Sequence, residues 1–302
     1  MPLDQSHTDE PSAVSAARRI RVQPITASDL RRAAEFLHAH LNTRVSIDHW
    51  SRALDVPWEV DRPNAGFMLL DGDEVVGVQL AFYSERVLNG SRERFCNLGA
   101  WCVLPGYRLH GLRLLKAVLR QEGYHFTDLS PSGSVVGINE KLSFRFLDTA
   151  TALVPNLPWP TLPGRGRISS DPELIERTLS GPDLELYRDH AATGAAHHLV
   201  LIRDDRWCYV MFRRDRRKGL PLFASVLYVS DPALFRSMAR RFARHLLIHH
   251  GALATLAEHR IVGYRPRPSV RLRSPRRKMF RSPSLAPSQI DYLYSELVCV
   301  SW

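Results

Sequence analysis

Lysine is scarce in this chain of 302 residues. Four of the 41 basic residues are Lys, at 116, 141, 218 and 278, so the other 37 are Arg. Acidic residues number 31, which leaves a formal net charge of +10. Arg stays charged and presents a fork that suits phosphate and carboxylate, so the balance favours anionic partners without choosing among them. Long apolar runs are missing as well. No stretch reaches 18 apolar residues, which excludes an apolar helix that spans a membrane. Residues 1–19 (MPLDQSHTDEPSAVSAARR) have no apolar centre and read as a flexible tail, not as a secretory leader. The four cysteines, Cys96, Cys102, Cys208 and Cys299, form no CxxC pair and no metal-ligand spacing. They are expected as reduced, mostly buried thiols in a cytoplasmic protein without a bound metal.

What remains is an ordinary globular composition, 44% apolar, 9% aromatic and 24% charged. The length predicts roughly two domains, large enough to form a core without disulfide or metal staples. Residues 20–25 read as a strand, and Leu30, Ala33, Ala34, Leu37 and Leu41 recur at helical spacing. A short helix is predicted over 46–54. The strands 66–71 and 74–83 flank the turn Asp71-Gly72-Asp73. A strand over 93–104 ends at Pro105-Gly106 and leads into a helix over 108–121. Strand 124–129, helix 133–142 and a last strand region 143–154 follow. Residues 155–169 hold four prolines and two glycines and mark a linker.

The order then repeats. A helix over 171–179 precedes a hairpin of strands 197–203 and 207–213 and a strand 222–229. Asp231-Pro232 supplies a cap and a first-turn proline for a helix to about 250. Strands are predicted at 252–258 and 290–300. The division expected is thus a first domain over 20–154 and a second over 170–302. The repetition lies in element order alone, since no residue-level repeat is visible.

The stretch from Asn97 to Lys116 carries the chemistry. An apolar strand ends in Val103-Leu104-Pro105, and Gly106-Tyr107-Arg108-Leu109-His110-Gly111-Leu112-Arg113 opens a helix. Such a turn aims backbone N–H groups and the positive end of the helix dipole at an anion. Arg108 adds a charged donor. Gly111 is read as a place where a ligand approaches closely.

These residues resemble the acyl-CoA pyrophosphate motif of the GNAT superfamily of acyl-CoA N-acyltransferases, Val-x-Pro-x-Tyr-Arg followed by Arg/Gln-x-x-Gly-x-Gly/Ala. Asn139-Glu-Lys141-Leu142-Ser143-Phe144 resembles the family's Tyr-x-Lys-Leu-Gly-Phe. The likeness covers about residues 20–150, with topology alone supporting the second half. It implies a mixed α/β chain of two tandem GNAT-like domains, the second degenerate, with sheets splayed at the central strands. It further implies acetyl-CoA or another acyl-CoA as substrate. The thioester would lie beside Trp101, Cys102 and Val103, and the pyrophosphate on Arg108, Leu109, His110, Gly111, Leu112 and Arg113.

The departures concern catalysis. Asn139 stands where the family often has an acidic Tyr, and Asn cannot give up a proton. Asn97 and Gly99 occupy the strand where many members place a Glu base. Glu93 is nearby, and Glu85, Cys96, His110 and His125 are further candidates by residue type. Arg113 replaces a small residue. Glu93, Asn97 and Asn139 are therefore carried as candidate catalytic residues, with catalysis by positioning as one account. A non-catalytic acyl-CoA-binding or regulatory module is the other. An aminoacyl transferase of the Fem type is a third reading, although no coiled helical arm is visible.

The remaining features are weighed against plain structural roles. Residues 265–281 hold eight Arg or Lys and no acid, a solvated loop or an anion grip, but without the interleaved aromatics of a nucleic-acid site. The second phosphate turn, from Ser230, has no glycine and carries Asp231, so it is not expected to bind CoA. The neighbours in His197-His198 and His249-His250 face apart, so neither pair chelates a metal alone. Trp50 and Trp58 are core or acceptor-cleft residues, and Trp159 is expected between the domains. The expected acceptor is an amine, or a hydroxyl of a small molecule or saccharide, with acidic acceptors favoured by the Arg content. Nucleic acid and membrane are not expected as partners.

Overall fold

The structure, a computed structural model, describes residues 20–160, 166–217 and 220–301. The tail 1–19 and the centre of the linker, 161–165, lie outside the described residues. In chain order the first half comprises β1 (Ile20–Pro24), α1 (Leu30–His40), α2 (Ile47–Leu54), β2 (Gly66–Asp71), β3 (Glu74–Leu88), β4 (Ser91–Val103), α3 (Arg108–Leu119), β5 (His125–Asp128), α4 (Gly133–Lys141), β6 (Arg145–Phe146) and β7 (Thr151–Pro155). Then come β8 (Arg167–Ser169), α5 (Pro172–Thr178), α6 (Gly181–His190), β9 (Ala196–Arg203), β10 (Arg206–Arg217), β11 (Leu220–Val229), α7 (Pro232–His250), β12 (Ala254–Glu258), α8 (His259–Val262), β13 (Val270–Arg271), β14 (Met279–Arg281) and α9 (Glu296–Cys299).

Local chemistry sets the ends of these elements. The Ser46 hydroxyl accepts from the His49 amide to open α2, and the Asp171 and Asp231 carboxylates do the same for α5 and α7 ahead of a first-turn proline. Gly251, at φ +62°, ends α7 in the left-handed conformation that glycine adopts without strain. Gly72, at φ +61°, turns the β2–β3 hairpin.

Each half forms a mixed sheet of seven strands. The first runs β1-β2-β3-β4-β5-β14-β6 and the second β8-β9-β10-β11-β12-β7-β13. In both, four antiparallel strands lead to one parallel pair, β4–β5 or β11–β12. The order expected from the sequence is thus a structural duplication. The boundary at 154/155 does not divide the sheets, however. β7, from the first half, pairs with β12, and β14, from the second, pairs with β5. Each half lends one strand to the other.

The inner faces share a core. Leu37 of α1, Trp50 of α2, Met68 and Phe82 of the first sheet, Val200, Tyr209 and Met211 of the second, and Tyr292 and Val298 of the C-terminal segment belong to one buried cluster. On the outer faces, α3 and α4 cover the first sheet at Cys96 and Phe126, and α7 covers the second at Val210 and Val226. Trp50 and Trp58 are core residues. The Trp58 indole donates to the Tyr83 carbonyl at 2.8 Å, and its ring lies against His190 and Tyr294.

The strand expected over 290–300 does not form. The Asp291 carboxylate accepts from the Leu293 amide, Tyr294 sits at φ +55°, and the Ser295 hydroxyl accepts from Leu297 to start α9. These local side-chain bonds outcompete a ladder. The segment is instead a buried bridge. The Arg86 guanidinium pairs with Asp291 and stacks on Phe95, while the Arg213 guanidinium donates to the Leu297 carbonyl at 3.0 Å.

His190 joins α6 to this bridge. Its Nε2 accepts from the Tyr294 amide at 3.1 Å, so Nδ1 carries the proton and donates to the Leu186 carbonyl at 2.9 Å. Burial lowers its pKa to about 4, so the native state holds it neutral where the unfolded chain takes up a proton. Stability is then complete above about pH 6.5 and falls as pH drops toward 4, by about 3 kcal/mol from this residue. Unfolding measured between pH 7 and 4 should show that slope together with those of His198, His245 and His250, also lowered to about 4, and His190→Gln should make it shallower even though the variant starts less stable.

Candidate active site

The hydrogen-bond ladder between β4 and β5 is three pairs long. Phe95, Cys96 and Asn97 face His125, Phe126 and Thr127, while β4 continues to pair with β3 as far as Val103. Just past Asn97, Gly99 and Ala100 together oppose Leu80 of β3, a bulge that bends β4. Gly99 is required there, because a Cβ would lie 2.5 Å from the Phe82 ring. The Gln79 amide holds the bulge by donating to the Gly99 carbonyl at 2.8 Å. Beyond this point β4 and β5 separate. The edge of β4 from Leu98 to Val103 that faces away from β3 has no strand partner, and its amides are free to meet a ligand.

The opening is a cleft of about 340 Å³. Its lining includes Leu98, Gly99, Ala100 and Trp101 of β4, Leu115 of α3, residues 128 and 130–132 after β5, and Asn139 of α4. The Trp101 indole nitrogen is buried without a hydrogen-bond partner.

β4 leads through a 3₁₀ turn at Pro105–Tyr107 into α3. No side chain caps α3, and its first turn holds no acidic residue. The Tyr107 hydroxyl anchors the turn by donating to Asp71 at 2.6 Å. Arg108 is exposed, Leu109 is 96% exposed, and His110 and Leu112 are partly so. Two residues of the motif act differently from expectation. A Cβ on Gly111 would meet Val103 at 3.3 Å and Trp101 at 3.6 Å, so this glycine lets α3 approach β4 and does not clear space for a ligand. Arg113 turns away, its guanidinium donating to the Ile20 carbonyl at 3.3 Å. Val103 packs beneath α3, whereas Cys102 faces α1, its thiol 3.6 Å from the His40 carbonyl.

Two buried carboxyl groups lie at and behind the floor, Asp128 in the lining and Glu296 beyond Ser130. Asp128 ends β5 and lines the cleft. The Asn139 amide donates to it at 2.7 Å, and the Asn139 oxygen is buried without a partner. Glu296, from the C-terminal bridge, is fully buried. One of its oxygens accepts from the Ser130 hydroxyl at 2.8 Å and the other has no partner. Burial raises Asp128 to about 6, against the hydrogen bond from Asn139. Burial raises Glu296 to about 8, and the charge of Asp128 adds to the rise. Near neutrality the pair therefore holds one proton, chiefly on Glu296. Neither acid was a sequence candidate. Asp128 sits in an ordinary strand end, and Glu296 comes from a segment 168 positions away.

The three candidate catalytic residues separate. Only Asn139 reaches the cleft. Asn97 is a clamp: its amide donates to the Thr127 hydroxyl at 3.0 Å, and its oxygen accepts the Glu296 backbone amide at 3.0 Å. Glu93 lies near the far end of β4 and meets His125 at 2.8 Å, whose other nitrogen meets the Ser282 hydroxyl at 2.9 Å. This has the order of a hydrolytic triad. The Ser282 oxygen, however, already accepts the Leu285 amide at 2.7 Å and the Ser284 amide at 3.2 Å, so the trio straps β14 to β5. Among the described residues no group of three His, Cys, Asp or Glu is placed to hold a metal.

A smaller cavity of about 80 Å³ occupies the equivalent opening of the second half. Ser225, Val226 and Leu227 of β11 and Leu256 of β12 line it, and Arg276 lines both cavities. It is filled by paired charges: Lys278 meets Glu258 at 2.7 Å, and Arg213 meets Asp215 at 3.1 Å.

No family model and no curated protein matches this sequence. Solved structures match its fold. A GCN5-related N-acetyltransferase from Anabaena variabilis aligns with a TM-score of 0.55 and 11% identity, over 87% of this chain and 72% of that one. One from Kribbella flavida gives 0.52 and 17%, over 87% and 71%. The glucosamine N-acetyltransferase region of a fungal multi-domain β-N-acetylglucosaminidase gives 0.54 and 14%, over 88% of this chain and 38% of that one. The chain has the fold of the GCN5-related N-acetyltransferases.

Glu296 binds a proton in the native state that the unfolded chain releases above its ordinary carboxyl range, so its contribution to stability is present at low pH and is lost as pH rises from about 4.5 through 8. Glu296→Gln removes that loss. The variant should melt roughly 5 °C above the parent at pH 9 and show no gain at pH 5, read by calorimetry at the two pH values.

Proposed function

We propose that the chain transfers an acyl group from acetyl-CoA or a longer acyl-CoA to an amine. The observation that carries this is Asp128 at the floor of the cleft where β4 and β5 part, with buried Glu296 behind it on the Ser130 hydroxyl. The surrounding residues fit an acyl-CoA. The cleft has the volume of a ligand site, the α3 turn offers an uncapped helix start beside Arg108, and Trp101 has an unspent indole N–H. Bound acyl-CoA supplies a thioester whose carbon an amine can attack.

The residues of the chain would then act as follows. Amides on the open edge of β4 polarise the thioester oxygen. Asp128 accepts the proton of the attacking amine, its basicity raised by burial yet its charge kept at pH 7. Asn139 orients Asp128, and neutral Glu296 spares it a second negative neighbour. Arg276, at the junction of the two cavities, favours an acceptor that also carries an anionic group. The glucosamine acceptor of the fungal neighbour places amino sugars in the first panel to test.

Asp128→Asn should cut thiol release by about a hundredfold to ten-thousandfold while acyl-CoA still binds. In the parent, kcat/KM should fall as pH drops below about 6, the range of the Asp128 carboxyl. A panel of amines with thiol release as the readout checks both. Acyl-CoA binding without release on any acceptor would leave a non-catalytic binding module.

Arg108→Glu puts a negative charge at the start of α3 on an exposed side chain. It should weaken acetyl-CoA binding about tenfold or more, with the melting temperature unchanged. Calorimetric titration measures it, and unaltered affinity would remove the pyrophosphate from this turn.

A further inference from the structure

The second half does not repeat the first beyond its parallel strand pair. β5 is followed by α4, a helix of nine residues, whereas β12 is followed by α8, a helix of four. On the second half a groove of about 790 Å³ runs beside α7, over Thr255 and Ala257 of β12 and Val154 of β7. It shares no lining residue with the acyl cleft.

The chemistry of this groove is one-sided. Arg203, Arg236, Arg240, Arg241, Arg265 and Arg267 line it, and among the described residues no Asp or Glu does. Elsewhere in the chain, inward-facing cations are paired with carboxylates, as Arg213 is with Asp215 and Lys278 with Glu258. In the groove, Arg203, Arg236 and Arg240 meet carbonyl groups and aromatic faces. Arg203 donates to the Ser237 carbonyl and Arg241 to the Gly166 carbonyl, each at 3.2 Å. Arg240 stacks on Trp159 at 5.1 Å and Arg236 on Tyr264 at 5.4 Å. Carbonyls and rings orient guanidinium groups without neutralising them. A concave wall of like charge focuses positive potential into the groove.

We propose that this groove binds a small anion bearing several phosphate groups, at a site separate from the acyl-CoA cleft. Guanidinium forks match phosphate oxygens in pairs, and several forks around one cavity suit a chain of phosphates better than a single carboxylate. The site is not a second copy of the CoA turn. At the start of α7 the Asp231 carboxylate caps the Leu234 amide and pairs with Arg206, so a phosphate is repelled there. Apart from Arg203 at the end of β9, the arginines of the groove lie further along α7 and on the segment after α8, which also accounts for part of the basic run at 265–281.

The test uses the full chain and inorganic tripolyphosphate in calorimetric titration. The groove should take up one molecule per chain, more weakly as salt rises, and any uptake at the α3 turn should vanish in Arg108→Glu. The double variant Arg240→Gln, Arg267→Gln should weaken binding at least tenfold, and Arg267 lies on an exposed loop, so its single variant gives the same direction without touching a helix. Arg108→Glu should leave the affinity unchanged. ATP in place of tripolyphosphate separates the sources: equal affinity marks a bare phosphate chain, and tighter binding marks a nucleotide. Absence of saturable binding, full affinity in the double variant, or loss of affinity in Arg108→Glu would overturn the proposal.

Discussion

The three-pair ladder between β4 and β5 is the constraint on which the site depends. Two parallel strands that part after Asn97 leave one edge of β4 without a strand partner among the described residues. Unpaired backbone groups are costly inside a protein unless something meets them. The structure enforces the opening from both sides of the sheet. The bulge at Gly99 and Ala100 bends β4 away, and the Asn97 side chain ties the last pair to the backbone of Glu296. The same device stands in the second half, where β11 pairs with β12 as far as Ser225 and carries an extra residue, Leu227, against β10. What differs is the filling. Paired charges and the C-terminal bridge close the second opening, and the first remains a cleft.

The bridge also explains how two carboxyl groups come to lie buried together beside the cleft. Strand exchange through β7 and β14 binds the halves into one core, and that core buries residues 290–300 between the sheets. Glu296 is carried into a site that an isolated first half would leave to water. Removal from water raises its pKa and, through mutual repulsion, leaves the pair with one proton. The unfavourable burial is offset by the packing of Tyr292, Leu297 and Val298 around it. A protonated carboxyl beside Asp128 thus arises from assembly of the halves, not from a residue chosen locally.

Much of the frame was legible because its signals are local. Asp171 and Asp231 announce their helices, Asp71-Gly72-Asp73 its hairpin, and the run from Val103 to Arg113 its turn. The site was legible only in part because its chemistry joins distant residues. Asn97 reads as a substitute for a catalytic base until Glu296, 199 positions on, is seen on its oxygen. Gly111 reads as ligand space until Val103 and Trp101 are seen against it. The apolar stretch at 290–300 has the composition of a strand, but Asp291 and Ser295 bond to nearby amides and break it. Periodicity cannot report which half receives β7 or β14, since either sheet satisfies the same pattern.

The charge balance can now be placed. The two long helices that follow β4 and β11 begin in opposite electrostatic states. α7 spends its N-terminus on Asp231, a fixed internal anion already matched by Arg206. α3 begins without a capping side chain or an acid in its first turn, so its dipole and Arg108 still await an anion. Duplication supplied both helices, and one aspartate decides which of them is left open. Six of the 37 arginines line the groove beside α7, where no carboxylate lines the wall among the described residues. An excess of positive charge spread evenly would only keep the protein soluble. Gathered on one concave wall, it raises the local concentration of anions there, and that is a binding property.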